Sequence, residues 1–89
     1  MKAVITVIGK DTVGILAKVS TICARFQANV VDVNQTVMQD LFAMVMLVEM
    51  DKHNTDLSVL RSELEAMGAE NALQIHVMHE DIFNSMHRI

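Results

Sequence analysis

The chain has 89 residues, enough for one hydrophobic core but not two, so we predict a single domain over residues 1–89. Its net charge is −4 and its seven Lys and Arg are scattered, which argues against a nucleic-acid-binding surface. The single cysteine excludes an intrachain disulfide, and the absence of any apolar run of transmembrane length predicts a cytoplasmic protein without membrane contact.

A β-branched run at the start of the chain predicts a first strand over about residues 2–8. Beyond a glycine-bracketed turn, residues 9–14, apolar side chains recur at helical spacing and predict a helix over about 13–27. We expect Asp11 to be the N-cap of this helix and Gly14 to let the strand and helix pack closely.

Two strands are predicted next, over about residues 30–39 and 41–50, joined by a tight turn at Gln39 and Asp40. The first alternates, with one face expected to hold Val31, Val33 and Val37, and the other Asp32, Asn34 and Thr36. The second is apolar on both faces, which indicates a central strand covered on each side. Two interpretations stay open for its methionines, soft core packing or an adaptable contact surface; these residues are Met44, Met46 and Met50, with Met38 nearby.

A second helix should begin at a cap, Asn54 or Thr55, and stop at Gly68. A fourth strand over about residues 72–79 and a short helix over about 80–87 complete the chain. The order β-α-β-β-α-β predicts an α+β, ferredoxin-like fold: a four-stranded antiparallel sheet with two helices on one face and a helical tail. The first and third strands should lie in the middle of this sheet.

The sequence offers little for catalysis. His76 and His79 lie three apart on a strand, so their side chains should point to opposite faces and not share one metal ion. No serine has a convincing His and Asp pairing in the sequence. We therefore predict no catalytic residue, no metal and no cofactor, with an enzyme using His76 or His79 as a third alternative.

The turn after the first strand has two interpretations. It is either a structural corner, or a binding loop in which helix N–H groups donate to a ligand carboxylate and Asp11 accepts from a ligand ammonium. A free amino acid carries both charges at that separation. Asn29 and Asn34 are suitable polar companions for such a ligand.

Two segments resemble the ACT domain family: residues 11–19, Asp-Thr-Val-Gly-Ile-Leu-Ala-Lys-Val, and residues 28–36, Ala-Asn-Val-Val-Asp-Val-Asn-Gln-Thr. The similarity covers almost the whole chain. It is closest to small stand-alone ACT proteins and to the ACT modules of glycine-cleavage regulators and formyltetrahydrofolate deformylase. Val13 stands where many relatives have proline, and Gln27 where glycine often precedes the Ala-Asn turn.

This resemblance implies a regulatory module that forms a homodimer by pairing its second strand with that of its mate. A small effector, commonly an amino acid, would lie between the first loop of one subunit and the second strand of the other. By position, the implied ligand-binding residues are Lys10, Asp11, Thr12, Val13, Gly14 and Ile15, with Asn29, Asn34 and Gln35. A regulated protein target is a further possible partner. The alternative is a dimerisation or protein-binding scaffold without a small ligand.

Overall fold

The computed structural model describes residues 1–51 and 57–86. The elements in these ranges are β1 (Lys2–Lys10), α1 (Ile15–Arg25), β2 (Asn29–Met38), β3 (Leu41–Glu49), α2 (Leu57–Glu70), β4 (Leu73–His79) and α3 (Glu80–Met86). The strands form one antiparallel sheet in the order β2-β3-β1-β4. The ferredoxin-like fold and the central positions of the first and third strands are confirmed. The expected cap at Asn54 or Thr55 lies outside the described residues.

The core lies between the helices and one sheet face, which we call the inner face. Along the strands, alternate side chains point into the core, as the two-residue period of a β-strand requires. The helices α1 and α2 contribute apolar side chains at helical spacing. Met44, Met46 and Met50 are all buried there, which confirms core packing for these three. Met38 differs, because it lies opposite Leu41 on the other face and is 59% exposed. The remaining core side chains of the sheet are Ala3, Ile5, Val7, Phe42, Val48, Leu73, Ile75 and Val77.

A β-bulge in β2 changes which valines reach the core. The pairing with β3 shifts register between Val30 and Asp32, so Val30 lies opposite buried Val48 and packs against the core. Val31 is the extra residue and is 47% exposed. The predicted placement of Val31 beside Val33 is therefore wrong, because strict alternation does not allow for an inserted residue.

The helix α2 does not stop at Gly68 as predicted but continues to Glu70. Gly68 is buried, and a Cβ there would lie 2.9 Å from the carbonyl oxygen of Leu73. The glycine is thus explained by close helix–sheet packing. The helix end is closed by Asn71, whose Nδ2 donates to the carbonyl oxygen of Met67 at 2.8 Å.

The opposite sheet face, which we call the outer face, is only partly covered by the described chain. Val4 points away from the helical core, lies opposite Leu47 and Met78, and is nevertheless 4% exposed. The short α3 contacts β1 and β4, so it lies over this end of the outer face. Further along, Ile8 and Val45 are exposed. The expectation that β3 is covered on both sides is met fully only on its inner face.

Candidate functional site

The turn between β1 and α1 is held against the β2–β3 hairpin. The Asp11 N–H donates to the carbonyl oxygen of Asp40 at 2.7 Å. Gly14, with φ 86° and ψ 13°, is the N-cap of α1, and its carbonyl oxygen accepts from the Lys18 N–H at 2.9 Å. The prediction that Asp11 caps the helix is wrong. A capping side chain belongs to the residue directly before the first helical residue, and Asp11 lies three positions earlier than Gly14.

The two glycines of this turn have different structural reasons. A Cβ on Gly14 would meet nothing within 4 Å, so the prediction that Gly14 allows close packing is wrong. Glycine is favoured here because of the left-handed φ. Gly9 is the close-packed one: a Cβ there would lie 2.7 Å from Leu73 Cδ2 and 2.9 Å from the Ala72 carbonyl oxygen. The turn therefore combines a tight strand contact with a left-handed helix start.

The start of α1 is electrostatically suited to an anion. Gly14 provides no side chain, no side-chain hydrogen bond caps the helix among the described residues, and the first turn contains no acidic residue. The first N–H groups of an α-helix lack intrahelical partners and carry partial positive charge. The Asp11 carboxylate is exposed nearby and forms no hydrogen bond or ion pair with another described residue. Positive and negative binding groups thus lie within one short turn.

The turn residues predicted to bind a ligand differ in accessibility. Val13 is 96% exposed, and Lys10, Thr12 and Gly14 are exposed as well. The Ile15 side chain is buried in the core, so only its backbone N–H is available to a ligand. The turn is accessible, and the groups it presents to solvent include backbone atoms, the Asp11 carboxylate, the Lys10 ammonium and the Thr12 hydroxyl.

Within one protomer, the predicted β2 residues do not converge on this turn. Asn29 lies opposite Glu49, which in turn lies opposite Lys2, at the far end of the sheet. The strand from there to Met38 spans roughly 30 Å at about 3.3 Å per residue. Asn34 and Gln35 lie in the middle of β2, the first on the outer face opposite Val45 and the second on the inner face opposite Met44. All nine residues could share a site only if a second chain contributed some of them.

A groove between α1 and α2 was not anticipated from the sequence. It has a volume of about 330 Å³ and is lined by Ala17, Lys18, Thr21, Ile22 and Met67. At its edge, Lys18 Nζ donates to Asn71 Oδ1 at 2.9 Å. The groove forms where two helices that are distant in sequence pack together, so no local sequence pattern predicts it.

The histidines and the cysteine occupy separate places. His76 lies opposite Thr6 and His79 opposite Ala3, so they point to different sheet faces, as predicted. His79 Nδ1 accepts a hydrogen bond from the Asp81 N–H at 3.1 Å. Among the described residues, no group of three or more His, Cys, Asp or Glu could hold a metal ion. Burial raises the pKa of the Cys23 thiol to about 11, so the thiol stays protonated well above neutral pH.

Comparison with known families identifies this arrangement. The ACT domain family model matches residues 2–78, and the chain belongs to the ACT domain family. The match includes β1 through nearly all of β4 and ends before α3. The family resemblance expected from the sequence is confirmed.

Individual relatives agree with this assignment. A UPF0237 protein of Methanococcus maripaludis is 50% identical over 86 residues, which is 97% of this chain and 96% of that one. The solved ACT domain protein from Streptococcus pneumoniae has a TM-score of 0.81 and 41% identity, covering 93% of each chain. The regulatory subunit of aspartate kinase from Thermus thermophilus, in ligand-free form, has a TM-score of 0.67 and 27% identity, covering 86% of this chain and 49% of that one. In the described part of the chain, the helices are too short or too polar to span a bilayer.

Proposed function

We propose that this protein is a non-catalytic regulatory module that binds a free amino acid at the interface of a homodimer and acts on a separate target protein. Membership of the ACT family and the likeness to a regulatory subunit of aspartate kinase support a regulatory role. The observation that carries the proposal is the start of α1, which has no side-chain cap and no acid in its first turn, beside the Asp11 carboxylate, which pairs with no other described residue. This pairing of charges complements an α-carboxylate and an α-ammonium on one small molecule.

The second wall of the site comes from the partner. As an edge strand, β2 leaves a row of backbone N–H and C=O groups free to pair with another chain. Antiparallel pairing of two β2 strands about a two-fold axis near their centre places Asn29 of the partner subunit beside Met38. Met38 leads directly into the hairpin that holds Asp11 through the Asp40 carbonyl group. Dimerisation therefore brings Asn29 to the turn from which it is remote within its own chain.

A thermal-shift screen of the twenty amino acids tests the proposal. An amino acid at one hundred times its dissociation constant adds about 2.7 kcal/mol to the free energy of unfolding. For a domain of this size, that raises the melting temperature by roughly 10 °C or more. We expect Asp11→Ala to abolish the response while changing stability by no more than about 0.5 kcal/mol, because Asp11 is exposed and is not the helix cap.

Glu65→Ala is the matched control, since Glu65 is also an exposed acid but lies on α2. Its response should equal that of the wild type. A response that survives Asp11→Ala places the ligand elsewhere. A dimer that responds to no amino acid supports the scaffold alternative instead.

A further inference from the structure

We propose that Arg61 determines which edge of the sheet can pair with a strand of another chain. The sheet has two edges, β2 and β4. Arg61, on α2, closes the β4 edge to strand addition and leaves β2 as the edge that can be extended. This role does not depend on the amino acid site proposed above.

The Arg61 side chain bonds to the backbone of β4. Its Nε donates to the carbonyl oxygen of Val77 at 3.0 Å, in a partly buried position. No described carboxylate forms an ion pair with Arg61, although Glu63 and Glu65 lie on the same helix. The guanidinium group is therefore committed to a strand carbonyl and not to an acidic side chain, and a bond from a charged donor is stronger than a neutral one.

The direction of the Val77 carbonyl group follows from the pairing of the central strand β1. Met1 and Met50 exchange both backbone hydrogen bonds, at 3.0 and 2.7 Å, and the β1–β3 ladder continues from there without a register shift. Odd-numbered residues of β1 therefore bond to β3, and even-numbered residues bond to β4. Val77 lies opposite Ile5, an odd-numbered residue, so its N–H and C=O point away from β1 to the free edge.

The helix α2 follows the same edge further along. A Cβ on Gly68 would lie 2.9 Å from the Leu73 carbonyl oxygen, which also points to the free edge because Leu73 lies opposite Gly9. Seven helical residues rise about 10.5 Å and four strand residues about 13 Å, so α2 can meet both carbonyl groups by lying along β4. The edge is closed at one end by the helix backbone and at the other by the Arg61 side chain.

An incoming strand would have to remove this cover. It would displace the Arg61 guanidinium from the Val77 oxygen and leave that charge unpaired beside a new ladder, which is costly. Charged side chains and covering helices are the means by which natural sheets protect their edges.

The β2 edge lacks such a cover among the described residues. By the same alternation, the backbone groups of Val33, Gln35 and Val37 point outward from β2. No described side chain donates to them. The two edges are therefore unequal, and Arg61 provides the side-chain part of the difference.

Arg61→Met tests this role, because methionine keeps an unbranched side chain and a high helix propensity but has neither the donor nor the charge. Light scattering after size exclusion compares the variant with the wild type at micromolar and at near-millimolar protein concentration. The two masses should agree at the low concentration. At the high concentration we expect the mass of the variant to be at least twice that of the wild type.

Arg25→Met is the matched control. It removes the same charge and breaks an exposed ion pair of 3.2 Å with Glu63, which joins α1 to α2 and does not involve β4. Its mass should follow that of the wild type at both concentrations. Circular dichroism confirms that each variant is folded.

Hydrogen exchange identifies the contact that forms. The Ile75 and Val77 N–H groups point to the edge, so they should exchange rapidly in the wild type and slowly in concentrated Arg61→Met. The His76 N–H bonds to β1 and should exchange slowly in every sample. Equal masses of Arg61→Met and wild type at the high concentration would overturn the proposal, as would a heavier variant whose Ile75 and Val77 amides still exchange rapidly.

The outcome is separable from the proposed function. If the wild type is a monomer, pairing through β4 gives a dimer; if it is already paired through β2, the second edge extends the sheet into longer assemblies. The amino acid response of Arg61→Met should equal that of the wild type, because Arg61 lies outside the predicted ligand residues.

Discussion

At the scale of single residues, the turns of this chain place ordinary side chains where glycine is favoured. Gln27, Gln39 and Ala72 have φ values of 55°, 58° and 56°. A left-handed φ crowds Cβ against the backbone, at a cost of about 1–2 kcal/mol for an L-residue. Gln27 is the position where the ACT resemblance leads one to expect glycine, so the chain keeps the turn conformation without the residue best suited to it.

Replacing Ala72 with glycine should therefore stabilise the protein. We expect Ala72→Gly to raise the free energy of unfolding by up to about 1 kcal/mol, because relief of the strained φ exceeds the added entropy of the unfolded chain. The same change at Ala66, exposed within α2, should lower it by about 1 kcal/mol. Urea unfolding of the two variants gives the comparison, and destabilisation in both would show that the turn at Ala72 is unstrained.

Cys23 gives stability a dependence on alkaline pH. Its pKa rises from 9.0 to about 11 on folding because burial disfavours the thiolate. The folded state therefore holds its proton more tightly, and this contribution is complete below pH 9 and lost between pH 9 and 11. The loss amounts to about 2 kcal/mol.

The variant Cys23→Ala isolates this effect. It should be less stable than the wild type at pH 8, because a buried sulfur is removed, and the difference should shrink by about 2 kcal/mol by pH 11. Urea unfolding across this range measures the difference. Two parallel stability curves would mean that the thiol titrates alike in the folded and unfolded states.

At the scale of elements, β2 is the least protected part of the sheet. It is ten residues long, lies at an edge, and most of its side chains are exposed. Long exposed edges favour pairing with another chain, and proteins that avoid pairing usually interrupt them with proline or charge. The only charged residue of β2 is Asp32, beside the bulge. The edge is thus open to a partner along most of its length.

Two adjacent prolines can separate the folding role of β2 from its pairing role. Successive N–H groups on an edge strand point alternately to the neighbouring strand and outward, so Asn34→Pro and Gln35→Pro remove bonds of different kinds. We expect one variant to lose a bond to β3 and be destabilised, and the other to stay folded and lose the edge-paired dimer. Circular dichroism and light scattering distinguish them. Full retention of mass in both folded variants would exclude pairing through this part of β2.

At the scale of the whole molecule, the order of elements and the core were predictable because they follow from periodicity. The apolar character of β3 was sufficient to place it in the middle of the sheet, and this placement is confirmed. The failures have a common cause in tertiary geometry. Gly68 continues a helix because a strand packs closely on it, and Val31 turns outward because a residue is inserted into the ladder.

For the candidate site, sequence reasoning located the turn but not the geometry around it. The turn containing Asp11 and Gly14 was identified from its glycines and its position before a helix, but the roles assigned to both residues changed. Asn29 lies a full strand length from Asp11, because the two residues precede and follow α1. That separation follows from the antiparallel pairing of β2 with β3, so the proposed site needs residues from two chains.

The almost complete exposure of Val13 has a practical optical consequence. The chain contains no tryptophan and no tyrosine, so it is nearly silent in ultraviolet fluorescence. A tryptophan substituted at Val13 would be the sole indole of the protein, surrounded by solvent at the edge of the turn. Its emission would shift to shorter wavelength when a molecule or a neighbouring chain covers it, so binding at this turn can be followed by tryptophan fluorescence.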